Sequence, residues 1–285
     1  MHFKLILSLT AYLSVNIPIV SSLINPHKPE EKNYLGGDVG EPLILTPLLE
    51  QNKTDEARRL ADVALSEEVK SYSGYFTVNK HYNSNLFFWF FPSRGDYEND
   101  PVLLWLQGGP GSPSLYGLFM EHGPFQLNEN AELELRKHAW TNNHSVIYID
   151  NPVGAGFSFT HHKNGYARNQ TQIGNELYTA LQQFFVLFPE LRKNEFYVTG
   201  ESYAGKYVPT LAYTIYRNNP GAEAKINLKG VAIGNGYMDP LHQKGYAEYL
   251  YQLGLLDNNT SLYVKRYEEK GLLGTSTKNG TKKPY

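Results

Sequence analysis

The chain has no cysteine, almost no net charge and, past its N-terminus, no apolar run long enough to cross a bilayer. Each absence excludes something. Without cysteine there is no disulfide framework, although an exported protein could carry one, so the fold must be held by its core. At 285 residues and 41% hydrophobic, the chain can bury a sizeable core, enough for one domain or a large piece of one. A formal net charge of −2 argues against nucleic acid or an anionic membrane as the main partner. No internal repeat divides the chain into stacked units.

The N-terminus has the order of a secretory signal peptide over residues 1–22. Lys4 supplies the positive charge, Leu5 to Val15 the apolar core, and Val20-Ser21-Ser22 the small-residue cleavage site. Asn16 and Pro18 interrupt the run, so it is too short to span a membrane. Export to an extracellular or lysosomal destination is expected. Six sequons agree with that route, at Asn52, Asn143, Asn169, Asn258, Asn259 and Asn279; Asn258 and Asn259 overlap, so one glycan at most is expected there.

Residues 23–70 read as a pro-segment or N-terminal arm, turn-rich at Gly36-Gly37 and Pro42, with a helical charge pattern from Asp55 to Val69. The remainder, 71–285, alternates strands and helices. Ser71 to Val78 and Asn85 to Phe91 predict a hairpin. Val102 to Leu106 and Ser145 to Asp150 predict buried strands, with a mixed segment between them. A helix is predicted over Gln170 to Phe188, ended by Pro189. A strand from Glu195 to Thr199, a helix from Ser202 to Asn218, a strand from Ile226 to Ile233 and helix over Tyr246 to Lys270 follow. The pattern is that of an α/β domain with a mostly parallel sheet.

Two motifs carry chemistry. In Tyr197-Val-Thr-Gly-Glu-Ser-Tyr-Ala-Gly205, a strand stops and a helix opens within three residues, with Gly200 and Ala204 flanking Ser202. That spacing is a nucleophile elbow, which exposes the serine hydroxyl on a turn only small neighbours permit. Upstream, the strand Val102 to Leu106 ends in Gly108-Gly109-Pro110-Gly111, where backbone can approach a ligand closely. An acyl-transfer oxyanion needs two N–H donors, one after the nucleophile and one from a glycine-rich loop. Tyr203 and Gly109 fit those roles. Either motif alone is weak; their joint order and context make an α/β-hydrolase fold the expectation, with an N-terminal antiparallel hairpin.

Several features take the plain explanation. Gly154-Ala-Gly156 lacks a dinucleotide fingerprint and reads as a turn. His161-His162 has no zinc-ligand spacing, so neither metal nor cofactor is expected. The 22 tyrosines are scattered and read as core and surface filling.

With these motifs placed, the chain resembles the serine carboxypeptidases, and within them the vitellogenic-like branch. The resemblance runs from about Tyr72 to Leu256. It rests on Leu104-Trp-Leu-Gln-Gly-Gly-Pro-Gly111, Gly117-Leu-Phe-Met-Glu-His-Gly-Pro124, Asp150-Asn-Pro-Val-Gly-Ala-Gly-Phe-Ser158 and Gly200-Glu-Ser-Tyr-Ala-Gly-Lys-Tyr-Val-Pro209. The family commonly has asparagine where Gln107 stands and often cysteine where Ser112 stands. The resemblance implies that Ser202 is the acylating nucleophile, acting on peptides or proteins at their C-termini. It also implies that Trp105, Gln107, Glu121 and Glu201 bind the substrate's terminal carboxylate. Two facing glutamates in a partly dry pocket cannot both ionise cheaply, so one keeps a proton and can donate to that carboxylate. Binding is then best in acid.

A serine nucleophile also needs a histidine base and a carboxylate to orient it, in the chain order Ser, Asp, His for this fold. Downstream of Ser202 stand only His242, Asp239 and Asp257. Asp239 and His242 share one loop, and Asp257 follows the histidine. The expectation is a C-terminally incomplete hydrolase domain, an N-terminal portion with negligible activity alone. The rival readings are a non-catalytic secreted glycoprotein that binds peptides or shields a partner, and a serine acyltransferase. The oligomeric state is not legible.

Overall fold

A computed structural model of the chain describes residues 40–275 except 131, 240, 241 and 244. The expected signal segment, the start of the arm and Asn279 lie outside the described residues. The chain divides between Glu41 and Pro42, and the unit beginning at Pro42 carries every element below.

The described part of the arm is built into the core. Leu45 N–H donates to Tyr75 O and Tyr75 N–H to Leu43 O, each at 2.9 Å. Helices α1 (Thr46–Glu50) and α2 (Thr54–Ala61) follow, burying Leu49, Ala57 and Ala61. Helix α2 is shorter than its charge pattern predicted. Asp62 turns extended (φ −61°, ψ 126°) and bridges Tyr72, and Val63 N–H donates to Ser71 O at 2.9 Å. Pairing with the sheet outcompetes helix continuation there. Arg58 fastens α2 from outside, pairing with Glu190 and lying 4.6 Å from the Phe188 ring centroid.

Strands β1 (Tyr72–Asn79) and β2 (Ser84–Phe91) form the predicted hairpin. Then come β3 (Val102–Leu106), β4 (Phe125–Leu127), β5 (Leu133–Leu135), β6 (Ser145–Ile149), β7 (Phe159–Thr160), β8 (Phe196–Glu201) and β9 (Leu228–Gly234). The main sheet has the order β1-β2-β6-β3-β8-β9, with β7 added beside β2, while β4 and β5 make a separate small hairpin. Neighbours among β6, β3, β8 and β9 are parallel; β1, β2 and β7 run antiparallel. This is the mixed, mostly parallel sheet of an α/β-hydrolase.

Every residue of β3 and β6 is buried, as expected for strands covered on both faces. The period of two divides them between two cores. Leu104, Leu106, Ile147 and Ile149 face a core completed by α3 (Gln170–Leu187) and α4 (Ala204–Asn218). Leu103, Trp105, Val146 and Tyr148 face the other side, against Leu118 and Phe125. That alternation delivers Trp105 to the candidate site. Helix α3 begins where Asn169 Oδ1 accepts from Gln172 N–H at 2.8 Å and ends just before Pro189.

The last predicted helix is two helices, α5 (Tyr246–Gln252) and α6 (Asn258–Thr275). Gly254 breaks it at φ +69°, and Asp257 Oδ1 then caps α6 by accepting from Thr260 N–H at 2.7 Å. Both signals stand in the sequence. Among the described residues, no helix is long and apolar enough to cross a membrane.

Candidate active site

Strand β8 runs through Gly200 and Glu201, two residues beyond its predicted end, and α4 opens at Ala204. Between them Ser202 is exposed and holds φ +57°, a left-handed conformation costing a non-glycine residue roughly 1–2 kcal/mol. The surroundings enforce it. Ser202 N–H donates to Gly234 O at 2.9 Å, and Ser202 O accepts from Tyr237 N–H at 2.8 Å and Gly205 N–H at 3.0 Å. A methyl on Gly200 would stand 2.5 Å from Leu106 O, and one on Gly205 2.6 Å from Tyr237 N. Small residues flank the serine because backbone from β3 and the loop after β9 fills the space.

The glycine-rich loop meets this turn directly. A methyl on Gly108 would stand 2.7 Å from Tyr203 N and 2.8 Å from both Glu201 O and Ser202 Cβ. Two motifs nearly a hundred residues apart thus lie backbone against backbone. Gly109 (φ +107°) and Gly111 (φ +91°) turn the loop, and Ser112 N–H closes it onto Gly108 O at 3.2 Å.

Behind the loop stands a brace built on Ser114 and Asp150. Ser114 Oγ accepts from Gln107 N–H at 3.1 Å and donates to Ile149 O at 2.5 Å. Asp150, fully buried, accepts from Ser114 N–H at 2.8 Å and Phe157 N–H at 2.9 Å. Burial pushes its carboxyl up to about 6 despite those donors. A methyl on Gly156 would fall 2.0 Å from Asp150 Oδ2, so the Asp150 to Ser158 block is a clamp on the glycine loop. An acid ending an apolar strand and followed by glycines was the available signal.

Beside Ser202 lies a chain of side-chain hydrogen bonds. Trp105 Nε1–H donates to Gln107 Oε1 at 2.8 Å, which fixes the amide's orientation. Gln107 Nε2 then donates to Glu201 Oε1 at 2.7 Å and Glu121 Oε1 at 3.3 Å. Glu121 rides on a π-helical turn, Gly117–His122, a wide-turn form often found at functional sites. Gly117 is required there, since a methyl would lie 2.3 Å from Trp105 Nε1. Arg136 holds the turn's C-terminal end, donating to Phe119 O at 3.0 Å and Gly123 O at 3.2 Å. Burial first, and the Glu201 carboxylate second, push Glu121 up to about 7. The four predicted pocket residues are therefore in one hydrogen-bonded cluster.

A raised carboxyl favours folding in acid. From about its ordinary 4.5 to about 7, folded Glu121 holds a proton that the unfolded chain has released, so its contribution is lost as pH rises through 7. His122, pushed down to about 3 by burial and by Arg136, acts oppositely below its ordinary 6.5. The clean readout is a difference. Relative to Glu121→Gln, the wild-type urea midpoint should fall between pH 5 and pH 8; a constant difference would show that Glu121 titrates normally.

Among the described residues, Ser202 Oγ makes no hydrogen bond to any side chain. His242 pairs instead with Asp239, Nδ1 to Oδ2 at 2.5 Å, both exposed in the loop after β9.

Comparison with known proteins places these features. The serine carboxypeptidase family model matches residues 63–283. The venom serine carboxypeptidase of Apis mellifera is 56% identical over 236 residues, 82% of this chain and 50% of that protein. The vitellogenic carboxypeptidase of Aedes aegypti is 48% identical over 264 residues, 90% of this chain and 55% of that protein. Among solved structures, Kex1, a prohormone-processing carboxypeptidase of Saccharomyces cerevisiae, superposes with a TM-score of 0.70 at 25% identity, covering 78% of this chain and 53% of that one. The chain spans about half the length of the curated relatives it matches. With the elbow, the glycine loop and the matched model in one stretch of sequence, the chain belongs to the serine carboxypeptidase family.

Proposed function

We propose that this chain carries the nucleophile and substrate-anchoring half of a serine carboxypeptidase of the secretory pathway. Ser202 is the nucleophile, the N–H groups of Gly109 and Tyr203 hold the oxyanion, and Trp105, Gln107, Glu121 and Glu201 hold the peptide's terminal carboxylate. One observation carries the reading: Glu201, bound to Glu121 through the Gln107 amide, is the residue immediately before the strained, exposed Ser202. An anchor one residue from the nucleophile puts a bound carboxylate next to the attacked carbonyl, which selects the last peptide bond of a chain. A protonated Glu121 donates to that carboxylate, whereas an ionised pair repels it. Export is supported by the sequence order of residues 1–22 and by exposed sequon asparagines at Asn52, Asn143, Asn169, Asn258 and Asn259.

A second reading, a peptide-binding glycoprotein without turnover, is favoured for this chain by the absence, among the described residues, of an imidazole bonded to Ser202. Both readings share the pocket. Calorimetry with an N-blocked dipeptide acid and its C-terminal amide, between pH 4.5 and 8, tests it. The acid should bind more tightly, weaken roughly tenfold per pH unit above about 7, and lose that dependence in Glu121→Gln. Equal affinity for acid and amide would overturn the carboxylate pocket.

A further inference from the structure

The residue after Glu121 is a histidine that the proposed chemistry does not use. Its side chain is only 8% exposed. The ring stacks on Trp140 at 3.8 Å between centroids, meets Trp105 edge-on at 4.3 Å, and lies 5.7 Å from the Tyr148 ring. Its Nδ1 is 3.1 Å from Tyr148 Oη, while its Nε2 is buried with no hydrogen-bond partner, 3.9 Å from Glu121 Oε2.

One proton arrangement satisfies most of these atoms. Tyr148 is deeply buried, and its hydroxyl stays protonated because burial raises it far above the usual phenol range. If that O–H donates to Nδ1, the neutral imidazole carries its own proton on Nε2, aimed at the Glu121 carboxyl. The opposite tautomer would orphan the phenol proton and turn an Nε2 lone pair toward a carboxylate. Burial and Arg136 keep the ring neutral.

We propose that His122 is a positioning residue for Glu121: its Nε2–H captures Oε2 of the ionised carboxylate and draws it away from Glu201. Glu121 then has two partners for its two states. Protonated, it accepts from the Gln107 amide and donates to the Glu201 carboxylate. Ionised, it closes the 3.9 Å gap to His122, whose buried Nε2 has no other partner. The charged or titratable groups around the pair are Glu201 at the end of β8, Arg136 after β5 and Tyr148 on β6; neither Arg136 nor Tyr148 bonds Glu121. Arg136 directs its Nε and Nη2 donors to two backbone carbonyls, Tyr148 meets Nδ1, and Glu201 repels. His122 therefore sets the pH at which the pocket's donor is withdrawn, and the consequence for peptide release rests on the carboxylate-binding reading above.

The test is a titration of the 285-residue chain by carboxyl-carbon NMR, reading Glu121 itself with no substrate present. His122→Phe keeps the aromatic stack and removes the donor; the Glu121 midpoint should rise by about one pH unit, a tenfold gain in proton affinity. His122→Gln, whose amide reaches the same place, should restore it. An unshifted midpoint in His122→Phe, or an equal shift in His122→Gln, would overturn the proposal. Should the Phe variant fail to fold, imidazole nitrogen shifts of the wild-type chain decide: Nε2–H is required and Nδ1–H refutes it. Dipeptide affinity measured alongside separates the two ideas. A Glu121 shift without a matching shift in binding leaves the positioning role standing and removes the carboxylate reading.

Discussion

Hydrolysis of an N-blocked dipeptide by this chain in acid should run on the order of a million-fold below that of a full-length relative, and Ser202→Ala should lower it little further. The reason lies around the hydroxyl. Ser202 is strained and exposed, and backbone N–H groups of the right kind are adjacent, yet among the described residues no imidazole bonds to its Oγ. A serine hydroxyl is a weak nucleophile without a base, and loss of the base costs about as much as loss of the whole triad. What survives is the contribution of binding and the oxyanion donors, roughly 10³–10⁴ over water. His242 pairs with Asp239 in an exposed loop and makes no hydrogen bond to Ser202. Single-turnover assays with an activated ester would read the residue of activity most sensitively. Ser202-dependent turnover within about a hundredfold of a full-length relative would refute the expectation.

Much of this architecture was written in local sequence. The apolar runs of β3 and β6 have no polar interruption because both faces are covered, and the strands fall where those runs do. The hairpin was legible from two strand-forming runs joined by a polar link, and the end of helix α3 from Pro189. The errors came where a distant partner decides. Helix α2 stops at Ala61 because Asp62 and Val63 pair with the β1 region, which no feature of 55–69 announces. The helix over 246–270 divides for a local reason, the left-handed backbone of Gly254.

The site shows the same division. Ser202 and the glycine loop were legible because each depends on its own few neighbours in sequence. Their mutual contact was not, since it is made by Gly108 backbone against Tyr203 backbone. Gln107 was named by resemblance, but its function as a switchboard between two acids requires the Trp105 indole to fix the amide, a contact the sheet period creates. Asp150 and Arg136 escaped notice because each braces a loop or turn well removed along the chain, and His122 because the rings that hold it, Trp140 and Tyr148, are also distant in sequence.

That dependence on backbone contact makes Gly108→Ala a severe change for so small a substitution. The added methyl meets no flexible side-chain end that could swing aside; its nearest atoms are Tyr203 N, Glu201 O and Ser202 Cβ, all within 2.8 Å. On one side, Gly108 stands two residues past the end of β3, and on the other the elbow follows β8, whose residue Gly200 pairs with Leu106. Neither strand can move without breaking the parallel ladder at the centre of the sheet. Overpacking of this kind costs typically 1–3 kcal/mol, and the rigid surroundings place it near the top, about 3 kcal/mol. For a chain of this size that is a fall of roughly 6–12 °C in melting temperature. Gly200→Ala, with Leu106 O at 2.5 Å, should behave alike, whereas Gly221→Ala, with nothing within 4 Å and an ordinary backbone, should change nothing measurable. The strain has one other outlet. The loop can retreat from the elbow, sparing the fold but carrying Gln107 off its carboxylates, and dipeptide affinity then falls in place of stability. Gly108→Ala with wild-type melting and wild-type affinity together would mean that the loop and the turn are not in contact.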